Sequence, residues 1–182
     1  MPKIPEPGGE LLRTERLIIR RFRIGDVAAY SEMMNQPSVE ASLSPGPKSH
    51  ADAARQMAMY DGHWGLTGFG LCAAIEKNTG QLVGRVGPWF PYGWPAPEVG
   101  WTIHPRRQRR GYAAEAARAC SRWMLEAHPE LDRVIHLIEP RNTGSQRGAA
   151  AIGGVNTGEG FLHPAGIPLD IWATPRSALL GE

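Results

Sequence analysis

A basic, glycine-containing segment runs directly into an alanine-rich helix at residues 108–117, Gln-Arg-Arg-Gly-Tyr-Ala-Ala-Glu-Ala-Ala. The first N–H groups of a helix have no intrahelical acceptor and carry partial positive charge, so they bind anions. Arg109 and Arg110 add full charges to this helix start. Gly111 lets the backbone approach a ligand closely, and Ala113 keeps the first turn free of bulk. These residue types predict a site for a phosphate or pyrophosphate group.

Two alternatives to this interpretation are a known nucleotide-binding motif and an RNA-binding site. The chain has no Gly-Lys-Ser/Thr and no Gly-x-Gly-x-x-Gly, which excludes a P-loop and a dinucleotide fingerprint. Four arginines between residues 106 and 110 leave RNA as an alternative ligand, but a formal net charge of +2 does not favour a nucleic-acid-binding protein. We therefore expect one bound polyanion and no nucleic acid partner.

A second distinctive tract, residues 88–97, contains four aromatic residues and four prolines. Prolines stiffen a loop, so one interpretation is a rigid connection whose rings pack on the edge of the domain. The other is an aromatic lip over a pocket for a second ligand. The sequence leaves both interpretations open.

These segments must be positioned by a mixture of strands and helices. Hydrophobic periodicity and turn signals place the anion site between a strand and a long helix, which is typical of an α/β or α+β sheet with helices on both faces. The strand that leads to the site contains Gly100, where we expect a β-bulge or the close approach of another group to the backbone. The predicted strands cover 16–22, 69–76, 81–90, 98–105 and 133–138, the predicted helices cover 27–35, 51–64, 111–127 and 145–152, and a loop is expected over 42–49 and a final hairpin from Phe161 to Ala173.

Composition and length indicate a single domain. The chain has 182 residues, of which 42% are hydrophobic and 21% charged, an ordinary globular composition. We expect one domain over 1–182 with a flexible start at 1–10. Cys72 and Cys120 are predicted to be buried free thiols, and no cysteine spacing suits zinc. No stretch resembles a signal peptide or a membrane span, so we expect a cytoplasmic protein that does not bind membranes.

The segments 98–119 and 133–154 together resemble the acetyl-coenzyme A binding core of the GCN5-related N-acetyltransferase (GNAT) family. The family's loop pattern, Gln/Arg-x-x-Gly-x-Gly/Ala, is met by Gln108, Gly111 and Ala113. The resemblance implies a GNAT fold, in which a mixed, mostly antiparallel central sheet is splayed between the fourth and fifth predicted strands.

Further residues resemble one branch of this family, the Rim type, which acetylates the N-termini of ribosomal proteins. The run 111–119, the pattern Asn142-x-x-Ser145-x-Arg147 and the opening 12–20 are all similar to that branch. In the segment 148–154, however, the chain lacks the Lys and Phe with which the branch usually ends its short helix. The prediction of the acceptor class therefore has less support from the sequence than the prediction of the cofactor.

The resemblance also implies which residues hold the acetyl donor, acetyl-CoA. Backbone groups of one strand end would pair with the pantetheine arm, and amides of the basic loop would hold the pyrophosphate. As an isolated residue Asn142 is equally well interpreted as a helix cap. The implied cofactor-binding residues are Trp101, Thr102 and Ile103 for the arm, Gln108, Arg109, Arg110, Gly111, Tyr112 and Ala113 for the pyrophosphate, and Asn142 near the arm.

Two residues are candidates for catalysis of amine acetylation. Glu98 precedes the strand that reaches the loop and is the candidate base, although a solvated carboxylate at a strand end is the competing interpretation. Many family members have a tyrosine seven residues after the residue that corresponds to Asn142, and this tyrosine acts as the general acid for the leaving thiolate. This chain has Ala149 at that position. Ser145 matches the Rim-type serine and becomes the candidate that hydrogen-bonds the departing thiolate.

These observations predict an acetyl-CoA-dependent N-acetyltransferase that works by direct attack of the amine in a ternary complex, without a metal. The acceptor is a primary amine, either a protein N-terminus or a small molecule. The missing tyrosine makes a non-catalytic acyl-CoA-binding sensor the alternative. The family resemblance also suggests a homodimer.

Overall fold

The computed structural model describes residues 4–40, 47 and 49–181. Short runs of apolar and β-branched residues form the strands, and capped segments with small or straight side chains form the helices. The strands are β1 (Glu10–Arg13), β2 (Leu17–Arg20), β3 (Cys72–Glu76), β4 (Leu82–Trp89), β5 (Glu98–Ile103), β6 (Arg133–Ile138), β7 (Val155–Leu162) and β8 (Pro168–Pro175), and the helices are α1 (Val27–Met34), α2 (Pro37–Glu40), α3 (His50–Thr67), α4 (Tyr112–Ala127), α5 (Thr143–Ala150) and α6 (Arg176–Leu180).

All eight strands join one sheet in the order β1-β2-β3-β4-β5-β6-β8-β7. Every neighbouring pair is antiparallel except β5 and β6, which run parallel and share a single register pair, Glu98 opposite Ile135. The sheet is therefore open at its centre beyond Glu98. This arrangement confirms the predicted mixed, mostly antiparallel sheet and the position of its splay, since β5 and β6 are the strands predicted as fourth and fifth.

Helices cover both faces of the sheet, as predicted. On one face α4 packs its small and apolar residues, among them Ala116, Cys120 and Met124, against β2 to β6. On the other face α1 and α3 enclose a second apolar cluster that includes Tyr30, Met57 and Tyr60. Cys72 and Cys120 are buried free thiols, in agreement with the sequence.

Several boundaries differ from the predictions. Strand β1 was not predicted, because the chain turns back at Thr14, whose amide donates to Leu17 O at 2.9 Å, and pairs two short strands. The helix predicted over 27–35 is observed as α1, and a short unpredicted helix, α2, follows it and begins at Pro37, since proline suits a first helical turn. Helix α6 was also missed. Most of the loop expected over 42–49 lies outside the described residues.

No helix in the described ranges is long and apolar enough to cross a membrane.

Candidate active site

The anion loop, residues 108–113, connects a short 3₁₀ turn to the first turn of α4. Gly111 caps the helix with φ +81°, a left-handed conformation that suits glycine. Arg109 is also left-handed, with φ +61°. Residues 112–114 open the helix, so their amides lack intrahelical acceptors, and the described part of the chain offers them no other. The loop therefore presents free N–H groups on an exposed, arginine-rich surface.

Residues distant in the sequence hold this loop in place. Glu115 accepts hydrogen bonds from the amide of Arg16 at 2.8 Å and from its Nε at 2.6 Å. The Arg16 Nη1 in turn donates to the carbonyl of Arg110 at 2.8 Å. The Tyr112 side chain is buried and its hydroxyl donates to Glu76, so only the backbone of Tyr112 can face a ligand at the loop.

The gap between β5 and β6 leaves backbone groups of β5 without partners. In an antiparallel ladder successive residues point their N–H and C=O groups to opposite sides. The hydrogen bond from His104 N to Val83 O at 2.9 Å fixes this alternation. The backbone N–H and C=O of Thr102 therefore point towards β4, and those of Trp101 and Ile103 point into the gap. The Ile103 carbonyl accepts from Gln108 Nε2 at 3.0 Å, which ties the gap to the anion loop.

Two of the implied arm-binding residues thus direct their backbone groups into the gap, and Thr102 does not. The Thr102 hydroxyl accepts from Arg85 Nε at 3.1 Å on the face of the sheet that carries α1 and α3. Trp101 packs its ring at 5.0 Å from the ring of His136 and against Gly148 of α5.

Side chains take the place of the ladder bonds where β5 and β6 separate. The Leu137 amide donates to Glu98 Oε1 at 3.3 Å, and His136 Nδ1 donates to the carbonyl of Val99 at 2.8 Å. The predicted bulge at Gly100 is wrong, because the register with β4 runs unbroken from Glu98 to Ile103. These side-chain bonds link β5 and β6 where ladder bonds between the two strands are missing.

Glu98 is buried at the base of the gap, with 8% of its surface exposed. The competing interpretation as a solvated strand-end carboxylate is therefore wrong. Burial raises its pKa to about 7, although hydrogen bonds from Trp94 Nε1 at 2.7 Å and from the Leu137 amide oppose the shift. The raised pKa favours the protonated form of this carboxyl group at a pH where an exposed glutamate is fully ionised.

The neighbouring His136 is also buried, and its charge state is well defined. Because a carbonyl only accepts, Nδ1 carries the proton, and Nε2 accepts from Thr174 Oγ1 at 2.9 Å. Burial lowers the pKa of His136 to about 4. The ring is therefore neutral at physiological pH and acts as a fixed strut between β5, β6 and β8.

A cleft of about 470 Å³ opens beside Glu98. It extends from the gap to the space between the sheet and α3, and its walls are largely apolar and aromatic. Asn142 and Ser145, at the start of α5, line the end near the gap. The remaining lining includes Met34, Met59, Tyr60, Leu71, Arg85, Trp89, Trp94, Gly100, Trp101, His136, Glu139 and His163.

Asn142 caps α5, since its Oδ1 accepts from the Ser145 amide at 3.0 Å. This is the cap interpretation of Asn142, and its position in the cleft leaves its Nδ2 available to a ligand. The Ser145 hydroxyl forms no hydrogen bond within the described residues and is half-buried at the cleft wall.

The proline-rich tract 88–97 serves both roles that the sequence left open. Trp94 packs against Phe161 and His163, with ring centroids 5.4 and 5.3 Å apart, as a loop on the edge of the domain would. The same indole lines the cleft and donates to Glu98, as a pocket wall would.

The predicted residues therefore fall into two groups. Glu98, Trp101, Asn142 and Ser145 meet at the cleft, whereas the anion loop lies outside it, at the other end of the gap. Sequence reasoning missed Arg85, which lines the cleft from the interior of β4. A lone arginine inside an otherwise apolar strand was the signal for it.

Comparisons with known proteins agree with this geometry. Residues 16–155 match the acetyltransferase (GNAT) domain family. The chain is 28% identical over 142 residues to the uncharacterised N-acetyltransferase YnaD of Bacillus subtilis strain 168, covering 78% of this chain and 81% of that one.

Solved structures show the same fold. An acetyltransferase from Agrobacterium tumefaciens str. C58 superimposes with a TM-score of 0.77 at 27% identity, covering 91% of this chain and 94% of that one. The aminoglycoside acetyltransferase AAC(6')-Ib in complex with coenzyme A superimposes with a TM-score of 0.72 at 17% identity, covering 89% and 96%. With a central gap between β5 and β6, a glycine-capped anion loop and a family match across most of its length, this chain belongs to the GNAT acetyltransferase family.

Proposed function

We propose that this protein transfers the acetyl group of acetyl-CoA to a primary amine by direct attack in a ternary complex. The observation that carries the proposal is the buried carboxylate of Glu98, which lies where the β5–β6 gap meets the cleft. A carboxylate there faces donor and acceptor positions at once.

The residues present fit acetyl-CoA. The unpaired amides of residues 112–114 and the arginines of the anion loop suit a pyrophosphate. The backbone groups of Trp101 and Ile103 in the gap suit an extended amide-containing arm that pairs like a strand. When bound, acetyl-CoA supplies the activated acetyl group, and GNAT relatives include a coenzyme A complex.

Glu98 is suited to accept the proton of the acceptor amine. A base is most effective when its pKa lies near the working pH, and burial raises the pKa of Glu98 to about 7. An α-amino group has an ordinary pKa of about 7.7, so the proton transfer is nearly balanced. Trp94 and Leu137 fix the carboxylate from two sides and so orient it.

Ser145 is suited to assist the departing sulfur. Its hydroxyl lies on the cleft wall beside Asn142 and is not committed to another acceptor within the described residues. A hydroxyl is a weak acid but donates a hydrogen bond to a developing thiolate. This assignment accounts for Ala149 at the position where many relatives have a tyrosine.

Thiol release from acetyl-CoA, measured over a panel of amines and peptides, tests the function. For the wild type we expect kcat/KM to fall about tenfold per pH unit below pH 7, because protonated Glu98 cannot act as a base. Glu98→Gln should remove the part of this dependence that comes from Glu98, leave the part that comes from protonation of the amine itself, and lower the plateau about 100-fold. Coenzyme A binding without release on any amine would instead indicate the sensor.

Glu139→Gln is the matched control, because Glu139 is a half-buried carboxylate that lines the same cleft. We expect it to keep the dependence on pH. An unchanged profile in Glu98→Gln would remove Glu98 from the mechanism.

A further inference from the structure

Arg85 lies at the floor of the cleft in a position that the transfer reaction does not use. It projects from β4 opposite Thr102 of β5, on the face that carries α1 and α3. Glu98 lies four residues before Thr102 on β5, so both side chains stand on the same face of the sheet. Arg85 and Glu98 therefore mark two ends of one stretch of cleft floor.

Arg85 forms no ion pair with any carboxylate of the described residues. Its Nε donates to Thr102 Oγ1, its Nη1 donates to the Tyr60 hydroxyl, and Tyr30 is its third neutral partner. A guanidinium has five N–H donors, so donors remain that these hydroxyls do not use. Arg85 is half-buried, and the Glu98 carboxylate interacts with it electrostatically without forming an ion pair, so a bound carboxylate would give the guanidinium a direct anionic partner.

The floor between Arg85 and Glu98 is open because position 100 has no side chain. A Cβ on Gly100 would lie 3.3 Å from Glu98 Oε1 and would fill the space beside the carboxylate. Gly100 itself lines the cleft. A small ligand can therefore lie along β5 with one end at Glu98 and the other at Arg85.

The dimensions and walls restrict what that ligand can be. Positions 98 and 102 are about 13 Å apart along the strand. The Arg85 guanidinium and the Glu98 carboxylate are nevertheless near enough to interact electrostatically, which leaves room for only a few bonds between ligand groups. The walls beside Arg85 are apolar and aromatic, formed by Met34, Tyr60, Leu71 and Trp89.

We infer that the acceptor is a small amino acid with an apolar side chain, whose carboxylate pairs with Arg85 while its amine lies at Glu98. This inference rests on the proposed acetyl transfer and specifies its acceptor. A polycationic acceptor is disfavoured, because its charges would meet the Arg85 guanidinium at the floor of the cleft.

The test compares acceptors that carry a carboxylate with acceptors that lack one. Thiol release from acetyl-CoA is measured with apolar L-amino acids, with the corresponding amino acid amides and with a polyamine. For the wild type we expect kcat/KM to be at least about 30-fold higher for the acids than for the amides, since a charge-assisted hydrogen bond is lost in the amide. Equal use of acids and amides, or preference for the polyamine, would overturn the inference and leave the transferase function intact.

Variants locate the effect at Arg85. Arg85→Gln should reduce kcat/KM for the acids about 30-fold and leave the amides unchanged within a few-fold. Arg55→Gln, on an exposed part of α3, is the matched control and should change neither. Gly100→Ala should raise KM for the acids without unfolding the protein, because its backbone needs no left-handed conformation. Melting temperatures confirm that each variant folds.

A binding measurement separates this inference from the transferase function. Trp89 and Trp94 line the cleft, so an apolar amino acid should quench tryptophan fluorescence in the coenzyme A-loaded protein, and Arg85→Gln should abolish the quenching. Binding that depends on Arg85 without thiol release would contradict the transferase and keep the amino acid site. Absence of both binding and release for every amino acid would overturn the inference.

Discussion

The anion loop and the cleft differ in the groups that give them their charge and in the exposure of those groups to solvent. The loop, residues 108–113, uses backbone amides and exposed arginines, so its charge is set by a local turn and is open to solvent. The cleft uses buried side chains, and burial itself moves the pKa of Glu98 to about 7 and that of His136 to about 4. The loop is thus suited to holding an anion of constant charge, and the cleft to moving a proton.

This contrast has consequences for salt and pH. Exposed charges are screened by salt, so interactions at the loop should weaken with ionic strength. Buried groups are screened little but respond to protonation. The effects of substitutions in the loop should therefore depend on salt concentration, and those of substitutions in the cleft should depend on pH.

The largest effect is expected at Gly111. Gly111→Glu forces a side chain into a left-handed conformation and places a carboxylate where the pyrophosphate is proposed to lie. We expect the Kd for coenzyme A to rise by more than about 100-fold, measured by calorimetry. Gly80→Glu is the control, since Gly80 also has a positive φ, +67°, and open space in the β3–β4 turn. Normal affinity in Gly111→Glu would contradict the anion loop.

The next effect concerns stability and pH at Glu98. Its folded pKa is raised from 4.5 to about 7, so its contribution to stability is present below pH 4.5 and is lost as pH rises to 7. His136, with its pKa lowered from 6.5 to about 4, gives the opposite slope. In Glu98→Gln the free energy of unfolding, relative to wild type, should therefore rise by about 2 kcal/mol from pH 5 to pH 7.

Urea unfolding at the two pH values measures this change. Glu126→Gln on the exposed side of α4 should show no such rise. An identical dependence on pH in wild type and Glu98→Gln would mean that the carboxyl group is not desolvated in the folded protein.

A smaller effect is expected at Trp94. Its indole N–H donates to Glu98 Oε2 and holds the pKa of Glu98 below the value that burial alone would produce. Trp94→Phe keeps an aromatic ring but removes the donor, so the midpoint of the pH–rate profile should move upward by roughly half to one pH unit. Trp123→Phe, outside the cleft, should leave the midpoint in place. A downward shift in Trp94→Phe would refute this role.

The smallest effect is expected at Arg110. Its side chain is exposed, so Arg110→Gln should weaken coenzyme A binding only about threefold at low salt and less at high salt. Titrations at two ionic strengths check this. A loss that is large and independent of salt would show that the loop arginines act as buried groups do, and would remove the contrast between the two regions.

Much of the fold follows from local patterns. The strands predicted over 69–76 and 81–90 form the β3–β4 hairpin, and the turn sequence Lys-Asn-Thr-Gly between them favours it. The alanine-rich helix predicted over 111–127 packs on the sheet as α4. The strand 133–138 was predicted with its observed limits. Such features depend on neighbours within a few residues, which sequence periodicity records. Strand β1 was missed because a four-residue strand depends on its partner for stability.

The sequence by itself determined the anion loop, since a glycine-capped helix start with arginines carries its own donors and charge within ten residues. It also indicated Glu98 as the candidate base from its position before a strand, and Asn142 and Ser145 as candidates through the family resemblance. Only the tertiary structure decided that Glu98 is buried, that His136 bridges β5 and β6 and that Arg85 lines the cleft. Desolvation and pairing depend on segments far apart in the chain, here β4, β5, β6 and α3, and no local pattern records which of them will enclose a charge.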